Sequence, residues 1–199
     1  MKIARIALNI AVAGTFGLIT TSLHAQGNLV LNGSFEDATA FNHWNVSNNT
    51  GFLSVDDGTI MSTVPVDGNS MAVFGGYTFD SIDQTLATTA GLTYDVNFFV
   101  NNKFGNSAFQ ASWGGSQLLN ITTSTPGSGQ FPNGWINFDF QVTATSASTD
   151  LSFAGFSVGA VGLDNVTVIP VPEPSSLALA GLGATGLALA VYRRRTAGC

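Results

Sequence analysis

The sequence predicts an all-β protein, an antiparallel β-sandwich set between two apolar terminal segments. Three observations lead there. Apolar residues in the central part of the chain recur with period 2, and nowhere keep helical spacing over three turns. Glycine, asparagine and aspartate cluster between the alternating stretches, where tight turns need them. Of the 199 residues 45% are hydrophobic and 9% charged, against roughly 25% charged in an ordinary soluble domain. The few cations sit at the ends: Lys2 and Arg5 open the chain, Arg193, Arg194 and Arg195 close it, and Lys103 stands alone between them.

In chain order, residues 1–25 come first as a secretory signal peptide. Lys2 and Arg5 supply the basic start, residues 6–19 the apolar stretch, and Thr20, Thr21 and Ser22 lead to Leu23, His24 and Ala25. Ala25 is the small residue that signal peptidase requires before its cut, although Leu23 is less usual at the third position back. An uncleaved N-terminal anchor is the alternative reading.

The body, residues 26–169, is read as strands at 28–31, 70–74, 81–87, 92–100, 108–113, 117–122, 136–142, 150–156 and 161–169. The pattern is clearest in two of them. Leu92, Tyr94, Val96, Phe98 and Val100 share one face, and Thr93, Asp95, Asn97, Phe99 and Asn101 the other. Ile136, Phe138, Phe140 and Val142 alternate with Trp135, Asn137, Asp139, Gln141 and Thr143. Such strands have one dry and one wet face, as in an antiparallel sheet. Turns are marked by Asp56-Asp57-Gly58, Asp67-Gly68-Asn69, Gly75-Gly76, Gly114-Gly115 and Pro126-Gly127-Ser128-Gly129. About nine short strands without a helix call for two packed sheets. Residues 124–130 read as a flexible loop. Residues 169–174 read as an extended linker, since each proline fixes φ and removes a hydrogen-bond donor.

The last segment, residues 170–199, joins that linker to an apolar run over 175–192 and then to Arg193, Arg194 and Arg195. At 1.5 Å rise such a helix reaches about 27 Å, close to the roughly 30 Å of a bilayer core. The arginines would stay on the cytoplasmic side, leaving the body outside. Gly181-Leu182-Gly183-Ala184-Thr185-Gly186 satisfies G-x-G-x-x-G, but a dinucleotide site needs that turn between a strand and a helix. Here it lies within the membrane-length run, where glycines permit close helix packing. A lipid-anchor signal also ends in an apolar tail, but this tail is followed by arginines.

Val171-Pro172-Glu173-Pro174-Ser175-Ser176, then an apolar helix, then a basic cluster, resembles the PEP-CTERM sorting signal. The resemblance implies that Pro172, Glu173 and Pro174, with Arg193, Arg194 and Arg195, are the recognition elements for exosortase, a membrane-embedded transpeptidase-like protease. It further implies a Gram-negative-type bacterium, transient anchoring in the inner membrane, and association with exopolysaccharide in a biofilm or floc matrix. Within the body, residues 28–36 (NLVLNGSFE), Trp44, Asp67-Gly68-Asn69-Ser70, Asp83-Gln84-Thr85-Leu86, Gly91-Leu92-Thr93-Tyr94 and Leu163-Asp164-Asn165-Val166-Thr167-Val168 follow an order that resembles the galactose-binding-like jelly roll of many carbohydrate-binding modules. In that family a structural calcium joins the first strand to the last. Glu36 and Asp164 occupy the matching positions and are the expected ligands. The other reading is that these carboxylates accept backbone hydrogen bonds at strand ends.

Composition excludes some functions. Residues 26–171 hold eleven acids against one lysine, a formal charge of −10. Without cations to neutralise phosphates, nucleic-acid binding is ruled out. The one cysteine is Cys199, so the body has no disulfide, thiolate zinc site or cysteine nucleophile. Glycoside hydrolysis needs two carboxyl groups set at about 5–9.5 Å, and nothing singles out a pair among acids that mostly sit in turns. His43 is the only imidazole of the body and no nucleophile elbow accompanies it.

Sugar binding asks for aromatic rings presented to solvent. Phe35, Tyr94, Phe98, Phe138 and Phe140 fit inward positions, and Trp44 and Trp135 coincide with core landmarks of the resembled fold. Trp113 and Tyr77 each border a glycine pair and are the candidate ligand-binding rings, against the alternative that they close the core edge. The expected protein is non-catalytic, exported to the cell surface or extracellular matrix, processed by signal peptidase and exosortase, and in contact with exopolysaccharide. A structural matrix component without a specific ligand is the alternative, and a secreted glycoside or ester hydrolase the third reading.

Overall fold

The computed structural model describes residues 27–47, 52–102, 106–123 and 134–171, together with Gly181, Gly183 and Thr185. The expected signal peptide, the loop 124–130, Pro172, Glu173, Pro174, Arg193, Arg194 and Arg195 lie outside the described residues.

Among the described residues there are eight strands and they are all antiparallel: β1 (Asn45–Ser47), β2 (Ser54–Asp56), β3 (Met71–Ala87), β4 (Thr93–Asn102), β5 (Ser107–Trp113), β6 (Ser116–Thr123), β7 (Trp135–Thr143) and β8 (Ser148–Pro170). The all-β sandwich expected from the sequence is the fold, but its strand list changes. The expected strands 70–74 and 81–87 are two halves of β3, and 150–156 and 161–169 are two halves of β8. Gly75-Gly76 is therefore not a turn. Gly76 has φ +91° inside β3, and the β3/β8 register shifts on either side of it, between Phe74 and Gly76 and between Gly76 and Asp80. A glycine is needed there twice over: an L side chain rarely adopts that φ, and a Cβ would stand 2.9 Å from the Phe52 ring.

The bulges bend β3 and β8 so that both run through two leaves of one continuous sheet. The first leaf holds β2, the start of β3, the end of β8, β4 and β7. The second holds β1, the end of β3, the start of β8, β5 and β6. Side chains from the two leaves meet between them. Phe98 of β4 lies edge-on to Phe153 of β8 at 5.0 Å, and Tyr94 of β4 packs on Trp113 of β5 at 5.7 Å. Phe74 of β3 meets Phe109 of β5 at 5.8 Å. Each such side chain contributes about 1.5–3 kcal/mol through burial, and each ring pair about 0.5–1.5 kcal/mol more.

Residues 28–31 do not form the expected strand, because side chains replace its ladder. Asn28 Oδ1 accepts the Val168 N–H at 2.8 Å, and the Leu29 N–H donates to the Val168 carbonyl at 2.9 Å. On the other side, Gln84 Oε1 accepts the Leu31 N–H at 2.8 Å while its Nε2 donates to the carbonyls of Leu31 at 3.0 Å and His43 at 3.2 Å. The segment is clasped to the end of β8, and Gly33 is packed so closely there that a Cβ would lie 2.1 Å from the Val166 carbonyl oxygen. The two short strands β1 and β2 had no legible alternation.

Candidate functional site

The second leaf turns a polar face to solvent. Cross-strand register aligns two rows over its five strands: Ser47, Ser81, Ala154, Gln110 and Asn120 in one, Asn45, Asp83, Ser152, Ser112 and Gln117 in the next. The alternation of β5 sets this up, since Phe109, Ala111 and Trp113 go into the core and leave Gln110 and Ser112 outside. Between β5, β6 and β8 the face holds a cleft of about 230 Å³, lined by Gln110, Ser112, Gly115, Gln117, Ser152 and Ala154. That is below the roughly 300–1,000 Å³ of pockets that enclose a small molecule, so the cleft is a shallow depression in the face. Its lining mixes the hydroxyls and carboxamides of Ser112, Ser152, Gln110 and Gln117 with the apolar surface of Ala111 and Ala154. Ser112 and Ser152 hydroxyls lie 2.7 Å apart, and Gln110 Nε2 donates to Asn120 Oδ1 at 3.4 Å. Carboxamides and hydroxyls both donate and accept, so they suit the hydroxyls of a sugar.

At one end of these rows stands an aromatic pair. Phe79 of β3 and Phe156 of β8 meet edge to face at 5.0 Å, half-buried on the outer side of the leaf. Tyr77 follows in the bulge of β3, 80% exposed, and Phe52 and Val158 at the same bend are 55% and 53% exposed.

The residues singled out from sequence are placed as follows. Trp113 is 5% exposed and its ring packs on Tyr94. It is therefore a core residue under the cleft and not a presented ring: it shares the inward parity of Phe109 and Ala111, and this outweighs the turn beside it. Tyr77 has the exposure expected of it. His43 lies at the surface with Nε2 3.8 Å from Asp37, a carboxylate that already accepts from Asn42.

Glu36 and Asp164 are brought to one loop. Glu36 Oε1 accepts the amides of Asn69 and Ser70 at 2.8 and 2.5 Å. Asp164, fully buried, accepts Val66 and Asp67 amides on Oδ2 at 2.6 and 3.1 Å and the Asn165 amide on Oδ1 at 2.6 Å. Burial pushes the Asp164 carboxyl up to about 6, against the opposing pull of these amides. Asp57 shifts the other way, since the Thr59 hydroxyl and amide donate to it and hold its carboxyl below the usual range. The Glu36 and Asp164 contacts account for loop 66–70 without an ion, and no group of three or more His, Cys, Asp or Glu is gathered among the described residues.

In the tail, Gly181, Gly183 and Thr185 are helical, and the Thr185 hydroxyl donates to the Gly181 carbonyl at 3.0 Å. The glycine run is thus not the strand-to-helix turn of a dinucleotide site. Among the described residues no helix is long and apolar enough to cross a membrane, and most of the expected span 175–192 lies outside them. Residues 170–195 match the family described as the PEP-CTERM protein-sorting motif. The tail is a PEP-CTERM sorting motif. A PEP-CTERM motif implies export and processing by exosortase.

No protein with a curated description matches the chain in sequence. Solved structures do match the body. One is TmCBM61 in complex with β-1,4-galactotriose, at TM-score 0.55 and 18% identity over 73% of this chain and 100% of the module. A cleaved adhesin domain of Lys-gingipain from Porphyromonas gingivalis is similar at 0.53 and 14% identity, covering 70% and 96%. The Clostridium thermocellum N-terminal endo-1,4-β-D-xylanase 10B, as its CBM22-1-GH10 modules complexed with xylohexaose, matches at 0.52 and 15%, covering 74% of this chain and 29% of that one. At these identities the likeness shows the fold, a carbohydrate-binding-module-like β-sandwich.

The face of the second leaf was missed from sequence. Strands at 108–113 and 150–156 were expected, but only the pairing of distant strands brings Gln110, Ser112, Ser152 and Phe156 onto one face.

Proposed function

We propose that the PEP-CTERM protein is a non-catalytic component of the cell surface or extracellular matrix that contacts an uncharged exopolysaccharide through the outer face of its second leaf. The observation that carries the reading is the cleft of Gln110, Ser112, Gln117 and Ser152 on the same leaf as the Phe79–Phe156 pair, which stands two residues along β3 and β8 from Ser81 and Ala154. Pyranose rings lay C–H groups on aromatic faces while their hydroxyls bond to carboxamides and hydroxyls, and Tyr77 extends the aromatic end. A body with formal charge −10 repels acidic polysaccharides. Affinity electrophoresis of the full chain in gels containing neutral or acidic polysaccharides tests this. Retardation by a neutral glycan, lost in Gln110→Ala with Ser152→Val and weakened in Phe156→Ala, is the expected result. Mobility unchanged in every gel refutes it and leaves a structural component without a specific ligand.

A structural calcium at Glu36 and Asp164 is the second part of the proposal. Carboxylate oxygens are the hard donors that calcium takes, and Glu36 Oε2 has no protein partner among the described residues. Bound there, the ion would tie the first segment of the body to the last strand.

A further inference from the structure

The described part of the sheet has four open edges, and three are guarded. β1 and β2 are three residues each, too short to template another strand. β6 belongs to a hairpin whose register shifts between Ala111 and Ser112, and such bulges twist an edge away. β7 differs. It pairs only with β4 among the described residues, over nine consecutive positions without a register shift. It contains no Lys, Arg, Pro or Gly to discourage pairing. Its inward row is also incompletely covered: Tyr94, Val96, Phe98 and Val100 of β4 are at most 1% exposed, whereas Ile136, Phe138, Phe140 and Val142 opposite them are only half-buried.

We propose that β7 is a self-association edge, along which two copies pair their β7 strands antiparallel about Phe138 and continue the first leaf from one copy into the other. The strand is complementary to itself in this register. Phe138 meets Phe138 and Ile136 meets Phe140 of the second copy on the inward row, closing the uncovered apolar rim. On the outer row each Asp139 falls opposite an Asn137. Asn97 Nδ2 already donates to Asn137 Oδ1 at 2.8 Å, which leaves the Asn137 N–H₂ as the group that can donate to a further acceptor. Facing side chains in such a pair stand about 4.5–5.5 Å apart, within reach of the Asp139 carboxylate. A register one step over would set Asp139 against Asp139, a like-charge pair that destabilises the alternative. The acidic bodies repel each other at long range, and salt screens that repulsion, so association strengthens with ionic strength.

The test uses the full chain in detergent with Cys199→Ser, a background free of thiols. Sedimentation velocity is expected to show a reversible dimer whose population rises with protein and with sodium chloride. Asn137→Cys and Asp139→Cys, both at exposed positions, are then mixed and oxidised. The heterodisulfide is expected to form about tenfold faster than either homodisulfide, since only facing positions meet the distance limits of the bond, and Thr85→Cys, away from the edge, is expected to form no disulfide at a comparable rate. A monomer at every concentration overturns the proposal, as does cross-linking at Thr85→Cys equal to that at the edge. A dominant Asp139→Cys homodisulfide overturns the register.

Discussion

Gln84 replaces a missing strand partner, and removing its carboxamide measures how much that replacement is worth. The side chain is 6% exposed and makes three hydrogen bonds, one with the Leu31 N–H and two with the carbonyls of Leu31 and His43. In Gln84→Met the length and apolar stem stay while all three bonds go. At about 1 kcal/mol net for each bond, the loss is about 3 kcal/mol, a sizeable part of the roughly 5–15 kcal/mol that holds a domain together. For a body of this size that lowers Tm by about 10 °C. Urea titration and thermal melts of the variant beside Thr85→Ala, whose exposed hydroxyl bonds Asp150 at 2.7 Å, give the comparison. A loss near 3 kcal/mol in Gln84→Met and under about 1 kcal/mol in Thr85→Ala is expected. A Gln84→Met loss no larger than that of Thr85→Ala refutes the view that this carboxamide clasps residues 28–43 to the sandwich.

Further outcomes follow from the two ends of the chain and from the carboxylates. Changing Pro172, Glu173 and Pro174 to alanine in the native host is expected to leave a larger, membrane-retained form, seen by fractionation and mass, and unchanged release contradicts the sorting assignment. Chelation is expected to lower Tm, an effect removed by Glu36→Gln with Asp164→Asn; an unchanged Tm in chelator sinks the calcium proposal. In the presence of chelator, the raised carboxyl of Asp164 binds its proton more tightly in the folded than in the unfolded chain. That group therefore favours folding at low pH, and its contribution, about 3 kcal/mol, is lost as pH climbs from about 4 to 6. Urea titrations across that range should show Asp164→Asn lacking the decline, and a parallel decline in the variant contradicts the role given to Asp164.

The sandwich and its polar outer faces were legible in the alternation of β4 and β7, because period 2 is a local property of a half-buried strand. The bend in β3 was not. Gly75-Gly76 looks the same in sequence whether it ends a strand or bulges inside one, and what decides is Ser157 lying opposite Gly76 in β8. Trp113 shows two local signals in conflict: the neighbouring glycines suggested a presented ring, while its parity with Phe109 and Ala111 placed it inward, and core packing on Tyr94 won. Glu36 and Asp164 were singled out through the family resemblance, with backbone hydrogen bonds as the other reading; those bonds are present, but the distant loop 66–70 that donates them was not named by the residue types. Phe79 and Phe156 illustrate the remaining limit. Each is a single aromatic residue inside a long strand, and they become a pair only when β3 and β8 are laid side by side.

Hydrogen exchange of the full chain with and without a bound neutral polysaccharide tests the functional reading most directly. Added protection in β5, β6 and the first half of β8, around Gln110, Ser112, Gln117 and Ser152, is the predicted footprint. Protection confined to the first leaf, or none at a saturating glycan concentration, would contradict it.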